Sequence, residues 1–266
     1  MKYPVLLLHG MGFRDTGGKY WGRIPQTLKN AGYAVFFGGG DGCASIETNA
    51  DTIAKNLEHA LNETGAAKVN IIAHSKGGLE ARYLASTMGL HTKIASITTI
   101  STPHHGSRTV DALLSCLPDH FIRFCCTVAD AWFRALGDKQ PDCYRAICTF
   151  KTKDAACFNE NNPDKPGILY QSYAFVMKHC WSDLSIWLPS LVVYYFEGKN
   201  DGLLAPAAVR WRNFRGIVRG NAGRGISHAD EVDLHRKPMT RRQGNGVSDI
   251  TDFYLAVARD LEEKGL

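Results

Sequence analysis

Residues 69–78 read VNIIAHSKGG. The apolar run Val69 to Ala73 has the length and composition of a strand buried on both faces, and an amphipathic stretch, Gly78 to Met88, follows at once. Between them stands one serine, Ser75, with Ala73 two residues before it and Gly77 two residues after. A sharp strand-to-helix elbow holds its central residue in an unfavourable backbone conformation. It leaves room for no more than a methyl group at those flanking positions. The steric condition is met. Ser75 is read as a nucleophile presented on a strained turn; the plainer alternative is an ordinary connection that contains a serine.

Outward from this elbow, strand and helix signals alternate. Tyr3–Leu8 is a continuous apolar run, and Lys19 to Ala31 carries Trp21, Ile24 and Leu28 on one helical side. Tyr33–Phe37 reads as a second strand, and from about Asn49 to Thr64 the residues Ile53, Leu57, Ala60 and Leu61 recur at helical spacing before Gly65. Ile94–Ile100 is a fourth strand after Val69–Ala73. This order predicts a mostly parallel sheet with helices on both faces. After Ser101-Thr102-Pro103 the rhythm breaks into helical apolar patches around Leu113, Phe121, Phe124 and Trp132. Strand signals resume at Ile168–Val176 and Leu191–Phe196, and Asp249 to Lys264 reads as a closing helix with Ser248 as its N-cap. The expectation is one α/β domain over residues 1–266, with residues 107–167 forming an inserted helical cap.

Composition narrows the classes of function. With 44% hydrophobic and 21% charged residues the chain is globular, neither disordered nor fibrous. Its longest apolar stretch, Ile186 to Phe196, is broken by Pro189 and Ser190 and is too short to span a bilayer, so no transmembrane segment is expected. The net charge of +5 is mild. Its late basic stretches, Arg210 to Arg224 and Arg236 to Arg242, carry no nucleic-acid motif and read as solvated loops, so no nucleic-acid partner is expected. Met1-Lys2 leads straight into a strand without a signal-peptide pattern, which predicts a cytoplasmic chain unless a leader has been trimmed. Six of the eight cysteines lie between 116 and 157 with no C-x-x-C pair, which argues against zinc. They read as buried apolar groups or free thiols, with a disulfide inside that segment as the alternative.

A serine hydroxyl is a poor nucleophile at neutral pH and needs a base, with an acid to orient that base. After an elbow of this kind the acid comes before the histidine in the chain. Asp201, in the turn-rich stretch Glu197-Gly198-Lys199-Asn200-Asp201-Gly202, is the preferred acid, with Glu197 as the alternative. His228, in the loop GISHADEVDL, is preferred as base over His235, which sits among charges and reads as solvent-facing. The tetrahedral oxyanion needs backbone donors, which are assigned to the N–H groups of Lys76 and of Met11 in HGMGFRD. A dinucleotide site fits poorly, since Asp15 stands where Gly10-Met11-Gly12 would need its third glycine. The chemistry requires no cofactor.

His9-Gly10, Ala73–Gly78, Asn200-Asp201-Gly202 and Ser227-His228-Ala229-Asp230 together make the chain resemble bacterial triacylglycerol lipases of the α/β-hydrolase fold. YPVLLLHG, KVNIIAHSKGGLEARY and STPHHGS extend the similarity over nearly the whole length. The resemblance implies the triad Ser75, Asp201 and His228, with an oxyanion hole at Met11 and Lys76. It implies hydrolysis of acylglycerols or similar hydrophobic esters, with contact to a lipid interface through a mobile lid at 107–167. A short-chain esterase, thioesterase or acyltransferase on the same triad, or a non-catalytic ligand receptor, are the alternatives. The elbow departs from the usual pattern in beginning with alanine and in carrying Lys76, whose charge could alter the acyl pocket or meet a carboxylate. Many such lipases hold a structural calcium near the histidine loop. The matching positions are Asp230 and, with uncertain spacing, Asp183.

Overall fold

The computed structural model describes residues 1–15 and 19–266. Among the described residues six strands, β1 (Val5–Leu8), β2 (Val35–Phe37), β3 (Val69–His74), β4 (Ile94–Ile100), β5 (Leu169–Ala174) and β6 (Asn213–Ile217), form one parallel sheet in the order β2-β1-β3-β4-β5-β6. β1, β3 and β4 are buried at every residue, which is why they are runs of apolar or small residues, interrupted in β3 by Asn70 and closed there by His74. Alternate side chains leave the sheet in opposite directions. Val5, Leu7 and Ile72 pack with α1 (Ile24–Asn30) and α10 (Ile250–Glu263), whereas Leu6, Leu8, Ile71 and Ala73 pack with α2 (Ile46–Thr64) and α3 (Gly77–Ser86). Ser45 caps α2 by accepting from the Thr48 N–H, and Gly65 ends it in the left-handed conformation.

The chain runs from β1 outward to β2 and then returns to place β3 on the other side of β1. At such a switch point the loops leaving two neighbouring strands diverge and open a crevice at their carboxyl ends. The loop after β1 and the elbow after β3 flank that crevice.

Two excursions rise from the sheet. Between β4 and β5 lie α4 (Arg108–Ser115), α5 (Asp119–Ala135), α6 (Cys143–Cys148) and α7 (Thr152–Asn161). Between β5 and Asp201 lies α8 (Trp187–Glu197), and the short α9 (Pro206–Val209) precedes β6. Residues 191–196, expected as a strand, are thus helical. Ser190 and Val193 are buried three residues apart, while Leu188, Leu191 and Tyr195 are exposed at helical spacing, and Pro189 is accommodated in the first turn. The sixth strand is instead β6, within the stretch read only as basic. Its residues alternate between exposed and half-buried, as suits a sheet edge. The N-cap of α10 is Asp249, which accepts from the Thr251 N–H, rather than Ser248.

Cys43 and Cys143 form a disulfide with Cα atoms 5.2 Å apart, joining the loop after β2 to the start of α6. The cap cysteine therefore pairs outside the 116–157 segment, and Cys116, Cys125, Cys126, Cys148, Cys157 and Cys180 are free. Glu197, the alternative acid, has another task at the end of α8. Its Oε1 accepts from Ser107 Oγ (2.6 Å), Thr109 Oγ1 (2.7 Å) and the Thr109 N–H (2.9 Å) at the start of α4. No single helix among the described residues is long and apolar enough to cross a membrane.

Candidate active site

β3 delivers Ser75 to the crevice with φ 52°, a left-handed conformation that a non-glycine residue holds only where its surroundings enforce it. The enforcement is visible. The Ser75 N–H donates to Ile100 O at 2.9 Å, and α3 begins two residues later. A Cβ at Gly77 would lie 2.5 Å from His9 O and 2.6 Å from Leu8 O, so the elbow closes only with glycine there. The pressure comes from the end of β1. A Cβ at Gly10 would likewise lie 2.7 Å from Ser75 Cβ.

Asp201 and His228 come together across 27 residues. His228 Nδ1 lies 2.9 Å from Asp201 Oδ2, and the His228 N–H donates to Asp201 O at 2.8 Å. Asp201 Oδ1 accepts from the N–H groups of Leu203 (2.9 Å) and Leu204 (2.8 Å). Burial would raise this carboxyl, but the imidazole and the two amides outweigh it and hold the pKa below its ordinary value. Asp201 is thus an anion that fixes the Nδ1–H tautomer, leaving Nε2 as the basic nitrogen. His228 and Ser75 line the same cavity. No direct Ser75–His228 hydrogen bond is formed, a separation common before substrate binds.

The N–H groups of Met11 and Lys76 have no hydrogen-bond partner among the described residues, as oxyanion donors require. The Lys76 side chain is buried and meets Glu80 one turn along α3. Asn49 Nδ2 also donates to Glu80 Oε1, at 2.8 Å. The lysine charge therefore meets a carboxylate and stays out of the cavity lining.

Beneath the pair lies a polar chain that sequence reasoning missed. The His74 ring sits 4.3 Å, centroid to centroid, from His228. His74 Nδ1 is 2.6 Å from Tyr20 Oη, which accepts the Gly10 N–H at 2.8 Å, and His74 Nε2 is 3.0 Å from Glu231 Oε2. One tautomer satisfies all three contacts: the Tyr20 hydroxyl donates to Nδ1, and Nε2–H donates to Glu231. Burial, then the neighbouring His228 charge, keeps His74 neutral, and burial, then the Asp201 charge, pushes Glu231 well above the usual carboxylate range. Glu231 falls in an acidic stretch that reads as surface, and only its place three residues after His228 hints at the site.

The cavity measures about 560 Å³ and is walled mainly by apolar side chains, among them Met11, Phe13, Val110, Phe150, Ile186 and Leu204. No lysine, arginine, aspartate or glutamate lines it among the described residues.

Asp183 and Asp230 also come together, with His235, their ligand-type atoms within 4.8 Å of one another. The site as it stands does not fit calcium, because the oxygens that would hold the ion are already taken by protein donors. Arg224 Nη1 and Nη2 bind the two Asp230 oxygens at 2.7 and 2.8 Å. Asp183 accepts from Ser185, Ser227 Oγ and His235 Nε2. Burial would raise the Asp183 carboxyl, but these hydrogen bonds hold its pKa at about 2. His235 is otherwise exposed.

A family model described as the alpha/beta hydrolase fold matches residues 3–125. Triacylglycerol lipase 2 of Saccharomyces cerevisiae is 27% identical over 93% of this chain and 74% of its own length. A triacylglycerol lipase of Pseudarthrobacter phenanthrenivorans is 31% identical over 61% of this chain, and the match spans about half, 54%, of that protein. Among solved structures, Staphylococcus hyicus lipase superposes with a TM-score of 0.69 at 16% identity, covering 98% of this chain and 95% of that one. The likeness establishes an α/β-hydrolase fold.

Proposed function

From a chain with the α/β-hydrolase fold, we infer a serine carboxylester hydrolase of the lipase type, acting on acylglycerols or similar hydrophobic esters. The observation that carries the reading is the His228–Asp201 pair set beside Ser75, on its left-handed elbow, along one apolar cavity. Ser75 Oγ attacks the ester carbonyl while His228 Nε2 takes its proton, and Asp201 steadies the imidazolium that forms. The N–H groups of Met11 and Lys76 receive the oxyanion. His228 then returns the proton to the leaving alcohol, and water clears the acyl-enzyme by the same route. The uncharged lining supports an uncharged, hydrophobic acyl chain.

The helices α4–α8 act as the cap of a single domain and as its lid. Phe124, Trp132, Leu188 and Tyr195, all exposed, supply the apolar face that meets a lipid interface. The Cys43–Cys143 bond supports an oxidising working compartment. No metal takes part in the chemistry.

Ser75→Ala lowers hydrolysis of a p-nitrophenyl ester by ~10⁴-fold or more with unchanged melting behaviour. A fluorophosphonate probe labels the native protein and leaves the variant unlabelled. Near-native turnover in Ser75→Ala would refute the assignment.

A further inference from the structure

The two carboxylates beside the histidine loop already have a resident cation. Asp230 lies two residues after His228, and Asp183 lies in the segment between β5 and α8. Ser227, next to His228, ties them together: its Oγ donates to Asp183 Oδ2 at 2.6 Å and accepts the Asp230 N–H at 3.1 Å. Both carboxylates are nearly fully buried, so each needs positive charge or hydrogen-bond donors nearby to stay ionised. Arg224 provides the charge. Its guanidinium grips Asp230 through both terminal nitrogens, and Nη1 also reaches Ser182 O at 3.5 Å, beside Asp183. The backbone fixes Arg224 in turn, since its carbonyl accepts the Lys178 N–H at 2.9 Å and the Ile226 N–H donates to Val176 O at 3.0 Å at the end of β5.

We propose that Arg224 is a positioning residue that does the work of a divalent cation, clamping the loop that carries His228 through Asp230 and making its placement independent of metal. A planar, permanently charged fork suits the task because it neutralises the carboxylate and also fixes its orientation through two parallel hydrogen bonds. Arg224 lies outside the cavity lining and touches no reacting atom. Its influence passes from Asp230 through Ser227 to the imidazole. The inference rests on His228 being the base.

The test compares the native chain with Arg224→Gln and Arg224→Lys, by thermal unfolding and by kcat and KM on a soluble p-nitrophenyl ester. Each is measured in EDTA, in millimolar calcium chloride and in guanidinium chloride too dilute to denature. The native melting temperature and kcat are expected to be indifferent to EDTA and to calcium. Arg224→Gln is expected to lose ~10- to ~100-fold in kcat with KM little changed, as follows from a displaced catalytic group, and guanidinium should restore part of that loss. Arg224→Lys, which keeps the charge and loses the fork, should fall between the two. Calcium should raise the melting temperature of Arg224→Gln alone, because removal of the guanidinium frees the carboxylate pair. A native melting temperature that falls in EDTA or rises with calcium overturns the proposal. So does native kcat in Arg224→Gln, or a variant that neither guanidinium nor calcium restores. The melting arm needs no turnover, so a failed ester-hydrolase assignment would appear separately, as native protein that is neither active nor labelled by fluorophosphonate.

Discussion

The floor of the cavity and the helices above it invert the usual rule of burial in opposite ways. Below, His74 and Asp201 are each 1% exposed and Glu231 is 0% exposed, in a layer where isolated polar groups are costly. Above, Phe124 is 66%, Trp132 64% and Tyr195 82% exposed, though each would gain from leaving water. The floor offsets most of its cost by linking Gly10, Tyr20, His74 and Glu231 Oε2 in a chain of hydrogen bonds, with His228 and Asp201 alongside; Glu231 Oε1 has no partner among the described residues. The cap leaves its cost standing. Lower groups are held to one geometry by hydrogen bonds, whereas upper groups are left exposed to solvent. On the function proposed above, the contrast separates the part of the molecule assigned the chemistry from the part assigned the choice of where it is performed.

The contrast breaks most sharply at Asp201. Asp201→Asn leaves the shape of the floor intact but favours the wrong imidazole tautomer, and kcat on a soluble ester should fall by ~10⁴-fold in steady-state assays. Next comes the joint between the regions. Cys43→Ser removes the bond from the loop after β2 to α6 and should cost about 2–4 kcal/mol in denaturant unfolding, while the intact floor keeps most of its activity. The cap is probed by Trp132→Ser. Turnover of emulsified long-chain triglyceride should drop about tenfold, equivalent to ~1.4 kcal/mol, while turnover of soluble short esters stays level. Equal loss on both substrates would make the exposed face a structural one.

The smallest effect sharpens the picture of the floor. Glu231 binds its proton more tightly in the fold than its reference value of 4.5. Above that pH the unfolded chain releases a proton that the folded chain keeps, so this group's stabilising contribution is full below 4.5 and is lost as pH rises through the folded pKa. Glu231→Gln should therefore flatten the fall in melting temperature above pH 4.5, with a gain of about 1 kcal/mol or less at neutral pH. His74 works in the opposite sense. Its folded pKa lies below the reference 6.5, so its contribution is present above 6.5 and is lost on acidification. The difference between native and Glu231→Gln curves isolates the carboxyl.

Much of this was legible in the chain where physics is local. The largely apolar runs in β1, β3 and β4, the spacing of Ile53, Leu57 and Leu61, and the small residues around Ser75 each declare their structure within a few positions. Asp201 and His228 were found by their order in the chain, and the structure brings that pair together. What escaped depends on distant partners. Leu191–Phe196 is rich in β-branched and aromatic residues, and helical periodicity emerges only once Ser190 and Val193 are seen buried below and Leu191 and Tyr195 exposed above. Cys43 and Cys143 are 100 residues apart. Glu231 reads as surface until Asp201 and His74 are beside it, and the carboxylates at 183 and 230 read as metal ligands until Arg224 is seen to grip Asp230.

The Glu197 carboxylate ends α8 and begins α4, with one oxygen receiving three donors across the gap. Neither helix can swing aside alone without stripping that oxygen of all its partners at once. The two excursions of the chain, separated by a whole strand in sequence, are thereby fastened to each other at a single carboxylate oxygen, so that any displacement of one is felt by the other.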